Sequence, residues 1–258
     1  MSSLSHSTPT EKQSHARVDI SSYSAFLETF PLQGSALFTH VFEQHADIIQ
    51  TQKAKFAVAN LEKILTTTFA ISTASGFSRM SLRDLSKSAG MSMGAIYSCI
   101  AKKEDIVLMV ADVVRLSGEM TRQHASSAGS YWSQIEQSIR YHLYASTLLQ
   151  PWYFFLYFET RSLPEGQQKA STLIELDAIS AFSSHIEAGV KSGEFNVSNP
   201  RAVANAIVVM LEDWYLKPWK TQLLKLADNT QAHQNTIIEA YYQDLTTMVK
   251  SLLQVQPN

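Results

Sequence analysis

Cysteine is almost absent from this chain. A single residue, Cys99, in 258 excludes a disulfide framework and a four-cysteine metal site. Glycine and proline are scarce too, at nine and seven residues. An all-β sandwich of this length needs many more turn residues, so long helices are expected. No apolar run approaches the roughly 20 residues of a membrane span; Trp152–Phe158 has seven. The N-terminal stretch is serine-rich without an apolar core, so it does not read as a secretory signal. Catalytic spacings are missing: no glycine-rich phosphate loop, no Gly-x-Ser-x-Gly elbow, no His-Glu-x-x-His pair. The eight histidines are scattered, and His40 and His45, five apart, do not share a helical face. The expectation is a cytoplasmic, all-α protein that is not an enzyme, spans no membrane and needs no cofactor or metal. Its 45% apolar content suffices for a sizeable core.

Charge of one sign is also lacking, since the net charge is −2. That near-neutrality is a cancellation. Residues 52–122 hold ten basic and six acidic side chains, a surplus of +4, while residues 1–51 and 123–258 carry −3 each. A basic block between acidic ones points to an anionic partner for that block, although fluctuations of this size also arise by chance.

Residues 1–20 are polar and aperiodic and read as a disordered tail. Residues 21–50 read as an extra helical segment. It holds a short helix over 21–30 stopped by Pro31, then a helix from a Ser35 cap to about Gln50. A long helix over 52–75 buries Phe56, Leu61, Ile64, Leu65 and Phe69 and stops at Gly76. Ser81 caps a helix over Leu82–Ala89, and Ser92 caps another running to about Ile100. A further helix runs from Glu104 to about Arg122, and Gly118–Ser130 reads as a soft boundary. Longer helices follow over about 131–149, 152–161, 165–191, 200–217 and 230–253, with Pro151, Pro164 and Pro200 opening three of them and Pro218 interrupting. The expected division is a head over 51–104 and a body over 105–258.

The two short capped helices meet at Ala89-Gly90-Met91. A glycine turn lets the second helix cross the first steeply, which is a helix-turn-helix. A helix over Ser92–Ile100 is short enough to present one edge to a major groove. Across residues 54–108 the sequence resembles the TetR family of bacterial transcriptional regulators. The resemblance is carried by the long first helix, the Gly76-Phe77 turn, Ser-Leu-Arg-Asp-Leu from Ser81, Ala-Gly-Met-Ser from Ala89, Gly-Ala-Ile-Tyr from Gly94, and Lys-Lys-Glu-Asp-Ile from Lys102. It implies an N-terminal three-helix DNA-binding head and a larger C-terminal helical domain that binds a ligand and dimerises. It also implies phosphate contacts by Tyr97 and Lys103. Ser81 and Ser92, with the helix starts they cap, are suited to phosphate oxygens. Arg83 can reach a base edge or a phosphate, and Lys102 adds charge beside Lys103. Met93, Gly94 and Ala95 form the groove-facing tip. Met93 stands where the family more often has a polar residue or lysine, and Ala95 where it has threonine, so specificity leans on DNA shape and Arg83. Cys99 reads as a small packing residue; a redox sensor is the alternative.

By the same resemblance the remaining chain is the sensor. The run Trp152–Phe158 contains six aromatics, so its helix is either deeply buried or lines a cavity. The candidate ligand contacts are Tyr144, Tyr153, Phe154, Tyr157, Phe158, Arg161 and Trp214. Each aromatic serves equally well as core, and Arg161 as a surface ion-pair partner of Glu159 or Glu165. FETRSLP from Phe158 and DWYLKPW from Asp213 are similar to the sensor half of regulators of acyl-CoA catabolism, which implies an acyl-CoA or fatty acid. The last two helices carry broad apolar faces for a homodimer that would hold palindromic, double-stranded operator DNA. Release by a small hydrophobic effector implies repression; an activator or a protein-contact module is the alternative.

Overall fold

The computed structural model describes residues 17–255 apart from Gln52, 127–128, Pro164, Pro218 and 221–229. The tail over 1–16 and the expected roles of Pro164 and Pro218 therefore lie outside the described residues. Among the described residues the secondary structure is helical, with no strand. No helix there is long and apolar enough to cross a membrane.

Two helices precede the head. Helix α1 spans Tyr23–Thr29, started by Ser22, whose hydroxyl accepts from the Ala25 amide at 3.1 Å. Phe26 is fully buried, edge-on to Tyr141 and 5.6 Å from Tyr144. Burying one such ring stabilises by about 1.5–3 kcal/mol, so α1 is fastened to the body rather than appended to it. Val18 is buried too, and the Asp19 amide bonds Thr29, so order begins ahead of residue 20. Helix α2 spans Gly34–Gln44, not Ser35 to Gln50 as expected. The Gln33 side chain donates to the Phe30 carbonyl instead of capping, and the chain turns at His45, whose carbonyl accepts from Ile48 and Ile49.

The head consists of α3 (Ala54–Ser75), a 3₁₀ turn (Phe77–Arg79), α4 (Leu82–Ala89) and α5 (Met93–Tyr97). Helix α6 (Glu104–Ala125) leaves it and enters the body. The helix does not break at Gly118, where the expected soft boundary over Gly118–Ser130 begins, because α6 runs through that glycine to Ala125. A mid-helix glycine costs about 1 kcal/mol, and burial of Val113, Val114, Ser117, Thr121 and Ala125 on either side outweighs it.

The body adds α7 (Tyr131–Leu148), α8 (Gln150–Phe158), α9 (Glu165–Ser192), α10 (Pro200–Leu216) and α11 (Gln231–Leu253). The expected helix over 152–161 ends early at Phe158 and tightens into a 3₁₀ turn over Glu159–Ser162. Asn199 and Pro200 start α10 as expected, the Asn199 side chain accepting from Ala202. Helix α9 packs on α6, α7 and α10, and α11 lies on α7 and α10.

Candidate functional site

The start of α4 is closed by a reciprocal cap. Ser81 Oγ accepts from the Asp84 amide at 3.1 Å, while Asp84 Oδ2 accepts from the Ser81 amide and hydroxyl at 3.0 and 2.6 Å. Those bonds from Ser81 hold the Asp84 carboxyl below its usual range. A fixed anion at this helix start competes with phosphate, so Ser81 serves the fold first. Gly90 then takes the left-handed conformation at φ 62°, which admits a residue without Cβ at no steric cost. Ser86 Oγ donates to the Met91 carbonyl at 2.6 Å and fixes the turn from the other side.

Helix α5 is shorter than expected, stopping at Tyr97 instead of Ile100. Ile96, Cys99 and Ile100 are all fully buried, which draws the chain inward after Ser98. The Ser92 hydroxyl accepts from the Ala95 amide at 3.2 Å, leaving its own proton available outward. Gly94 is exposed, and a Cβ built there meets only Ser92 Oγ at 3.9 Å. Its smallness is therefore not demanded by packing within the chain. Arg83, Ser92, Gly94, Tyr97 and Lys102 are exposed, with Met93 and Ala95 half-buried beside them. Tyr97 keeps 48% of its surface exposed, unusual for a tyrosine in a packed head. Lys87, exposed in the last turn of α4, joins them and was not among the sequence candidates.

Lys103 is differently engaged. Its ammonium donates to the carbonyls of Phe77, Ser78 and Met80, each at 3.0 Å, and lies 4.8 Å from the Phe77 ring centre. Asp105 closes the start of α6 by accepting from the Ala101 and Lys102 amides at 2.8 and 2.9 Å. Lys103 thus fastens the 3₁₀ turn to α6, and Asp105 takes amides that a phosphate would otherwise meet.

A cavity of about 750 Å³, open to solvent on one side, lies between α2 and its following turn and α6, α7, α8 and α9. Its apolar lining includes Val114, Tyr153, Tyr157, Ile174, Ala178 and Phe182, and the exposed Leu108 and Leu173 also line it. Arg122 pairs with Asp177 and Glu119, each at 2.5 Å, and Arg115 pairs with Asp112. The charged lining is thereby largely self-compensated. His142 is pulled down to about 4 by burial alone, so it enters the cavity wall as a neutral imidazole. Tyr153 Oη donates to Ser117 Oγ at 3.1 Å, and burial pushes its hydroxyl up to about 12.

Of the seven ligand candidates, Tyr153 and Tyr157 line this cavity. The other five do not. Tyr144 faces α1 and α11 and bonds Glu239. Phe154 and Phe158 stack on each other at 4.8 Å, with Phe158 48% exposed. Arg161 is exposed, and Trp214 donates to Thr147 Oγ1 at 2.8 Å. A helix apolar on every side points its residues in several directions, and no periodicity in the run itself separates them. His142, His45, Ile48 and Phe182 were missed as lining residues. Their signal is distributed over three elements far apart in sequence.

No family model matches this sequence, and no curated protein matches it. Solved structures do match the fold. A regulatory protein of the TetR family from Rhodococcus RHA1 superposes with a TM-score of 0.59 at 19% identity, covering 77% of this chain and 98% of that one. The MbdR regulator from Azoarcus sp. CIB gives 0.61 at 14% identity over 77% and 100%. FadR from Bacillus subtilis, solved in complex with stearoyl-CoA, gives 0.58 at 14% identity over 74% and 98%. The fold is that of the TetR-family transcriptional regulators, as the sequence resemblance implied.

Proposed function

We propose that this chain is a DNA-binding transcriptional regulator of the TetR family, a homodimeric repressor of a palindromic operator that a small hydrophobic effector releases. The observation that carries the reading is the pairing of an outward-facing helix-turn-helix with a body holding a cavity of about 750 Å³. In this reading Tyr97, Ser92 and Lys102 position the phosphate backbone, and Arg83 reads a base edge from α4. Lys103 and Ser81 support the head from within. The apolar tip of Met93, Gly94 and Ala95 offers methyl contacts and close backbone approach, so DNA shape carries much of the specificity.

Dimerisation is assigned to the outer faces of α10 and α11, where Val209, Met248 and Leu252 are exposed and Met210 and Ile237 half-buried. Two such heads, held about one DNA turn apart, roughly 34 Å, would match a palindrome. The effector candidate is an acyl-CoA or fatty acid. Support comes from the apolar lining and from the B. subtilis protein's complex with stearoyl-CoA.

The test is selection of bound sequences from random DNA, then a salt-titrated mobility shift with palmitoyl-CoA, palmitate or coenzyme A added. A repressor shows steep salt dependence and release by an acyl ligand but not by coenzyme A. Binding that ignores salt would instead favour the protein-contact reading, for which the apolar tip of α5 is the supporting observation. Tight DNA binding that palmitoyl-CoA and palmitate leave untouched would remove them as effectors.

A further inference from the structure

The segment between α2 and α3 touches both the cavity and the recognition helix. The end of α2 and its following turn supply Gln44, His45, Asp47 and Ile48 to the cavity wall. His45 is buried, and its Nε2 lies 2.9 Å from Asp112 Oδ2 on α6. The His45 carbonyl accepts from the Ile48 and Ile49 amides, both at 3.0 Å, so the wall residue and the turn behind it are bonded to each other. Ile49 is buried and anchors that turn in the core. The next two amides, of Gln50 and Thr51, both donate to the Ser98 carbonyl, at 2.9 and 3.3 Å.

Ser98 closes α5. The last carbonyls of a helix have no partner inside it and must find one outside. Here that partner comes from a segment whose other end is part of the cavity. Residues 46–49 are all that lie between the His45 wall and the Ser98 contact.

We propose that residues 44–51 are a sensing strap: Gln44, His45 and Ile48 recognise the cavity's occupant, and Gln50 and Thr51 carry its binding to α5 through Ser98. The inference rests on reading the cavity as the effector site and α5 as the DNA-reading helix. Asp112 and Arg115 already compensate each other beside His45. The fitting occupant therefore has an apolar body and an uncharged hydrogen-bonding group that can replace Asp112 at the His45 imidazole, which among the proposed effectors fits the acyl chain and thioester carbonyl of an acyl-CoA and not the carboxylate of a free fatty acid. To shift the strap, such an occupant must bind better to a position in which His45 has left Asp112 than to the one seen here.

The test uses the full chain and N-phenyl-1-naphthylamine, an uncharged fluorophore, as the cavity probe. Hydrogen exchange is read by mass spectrometry over residues 45–51 and 93–101, with and without probe and without DNA. Ala178→Trp, which crowds the cavity, is the control for weakened occupancy. In the wild type the probe is expected to change exchange in both segments by about 5-fold or more. Gln50→Pro removes the shorter bond to Ser98, and His45→Leu removes the link to Asp112. Each should cut the response of 93–101 to less than half, with Gln50→Pro still binding the probe. If Gln50→Pro does not fold, a Gly-Gly insertion between Ile49 and Gln50 slackens the same connection. A wild-type response at 93–101 that survives in both variants overturns the strap, as does silence at 93–101 while 45–51 responds. Because DNA is absent, the regulator reading fails separately, by loss of salt-dependent DNA binding in the wild type.

Discussion

Replacing Lys103 by methionine separates two roles for the same residue. If Lys103 mainly pairs with DNA phosphate, the protein keeps its stability and loses one charge contact. The geometry favours the other role. All three ammonium protons point at the carbonyls of Phe77, Ser78 and Met80. A bond with a charged donor contributes about 1.5–3 kcal/mol. Ser78 faces water and is discounted, which leaves the two half-buried bonds to Phe77 and Met80. The freed side chain regains up to about 2 kcal/mol of rotamer entropy. The net loss for Lys103→Met is about 1–4 kcal/mol, a fall of about 2–16 °C in Tm for a chain of this size. Calorimetry measures the fall, and a salt titration of DNA binding on the same variant measures the lost charge. An unchanged Tm with the salt slope reduced by about one would refute the lock and restore the phosphate contact.

Gly189→Ala in α9 sets helix propensity against packing. Alanine should gain about 1 kcal/mol in a helix interior, but a Cβ there meets the buried Phe195 ring at 2.2 Å. The clash wins, and the urea midpoint should drop by the equivalent of about 1–3 kcal/mol. His142, held at about 4 against an ordinary 6.5, stays neutral in the fold while the unfolded chain takes up a proton. Stability is therefore lost as pH falls from 6.5 towards 4, by up to about 3 kcal/mol. His142→Leu should escape this, so its advantage in urea midpoint over the wild type must widen between pH 7 and pH 5. Glu212 behaves oppositely: burial, then Glu175, pushes it up to about 7, so its contribution is full below 4.5 and lost as pH rises through 7. Glu212→Gln should gain on the wild type between pH 5 and pH 8. Cys99 is buried and its thiol is raised by burial, so Ellman's reagent should label it only after unfolding.

The head was legible because its signals are local. Ser81, Gly90 and Ser92 each act on backbone within five residues, and all three cap or turn where their types demand. The sequence could not show that Asp84 occupies the Ser81 amide and hydroxyl, or that Lys103 turns back onto carbonyls more than twenty residues earlier. Those are choices among partners, decided by three-dimensional proximity. The N-terminal segment was legible as helical and opaque in purpose for the same reason. Phe26 and Phe38 read as ordinary apolar positions until Tyr141, Tyr144 and Trp152 are seen against them. Cavity residues were hardest. Tyr153 and Tyr157 stood out by their aromatic context, whereas His45, His142 and Phe182 line the same space from three other elements.

Helix α8 explains why an aromatic run occurs where it does. Trp152 and Phe155 turn towards the head, meeting Phe38, Phe69 and Phe77 at ring distances of 4.8–6.1 Å. Tyr153 and Tyr157 turn to the cavity and to Tyr215. Just beyond the helix, the buried Glu159 carboxylate accepts from the Phe77 amide at 2.8 Å, joining body to head at the 3₁₀ turn that Lys103 also grips. Two faces of α8 are therefore apolar because one meets the cavity and the other meets the head, while Pro151 and Phe158 stay exposed on the remaining side. The nine-residue α8 thus touches both the cavity and Phe77, a second path separate from the one proposed through Ser98. Phe155→Leu should loosen this path while leaving the cavity lining intact. If the head's exchange response to an occupant persists in that variant and vanishes in Gln50→Pro, the strap is the route used. The reverse pattern would assign it to α8.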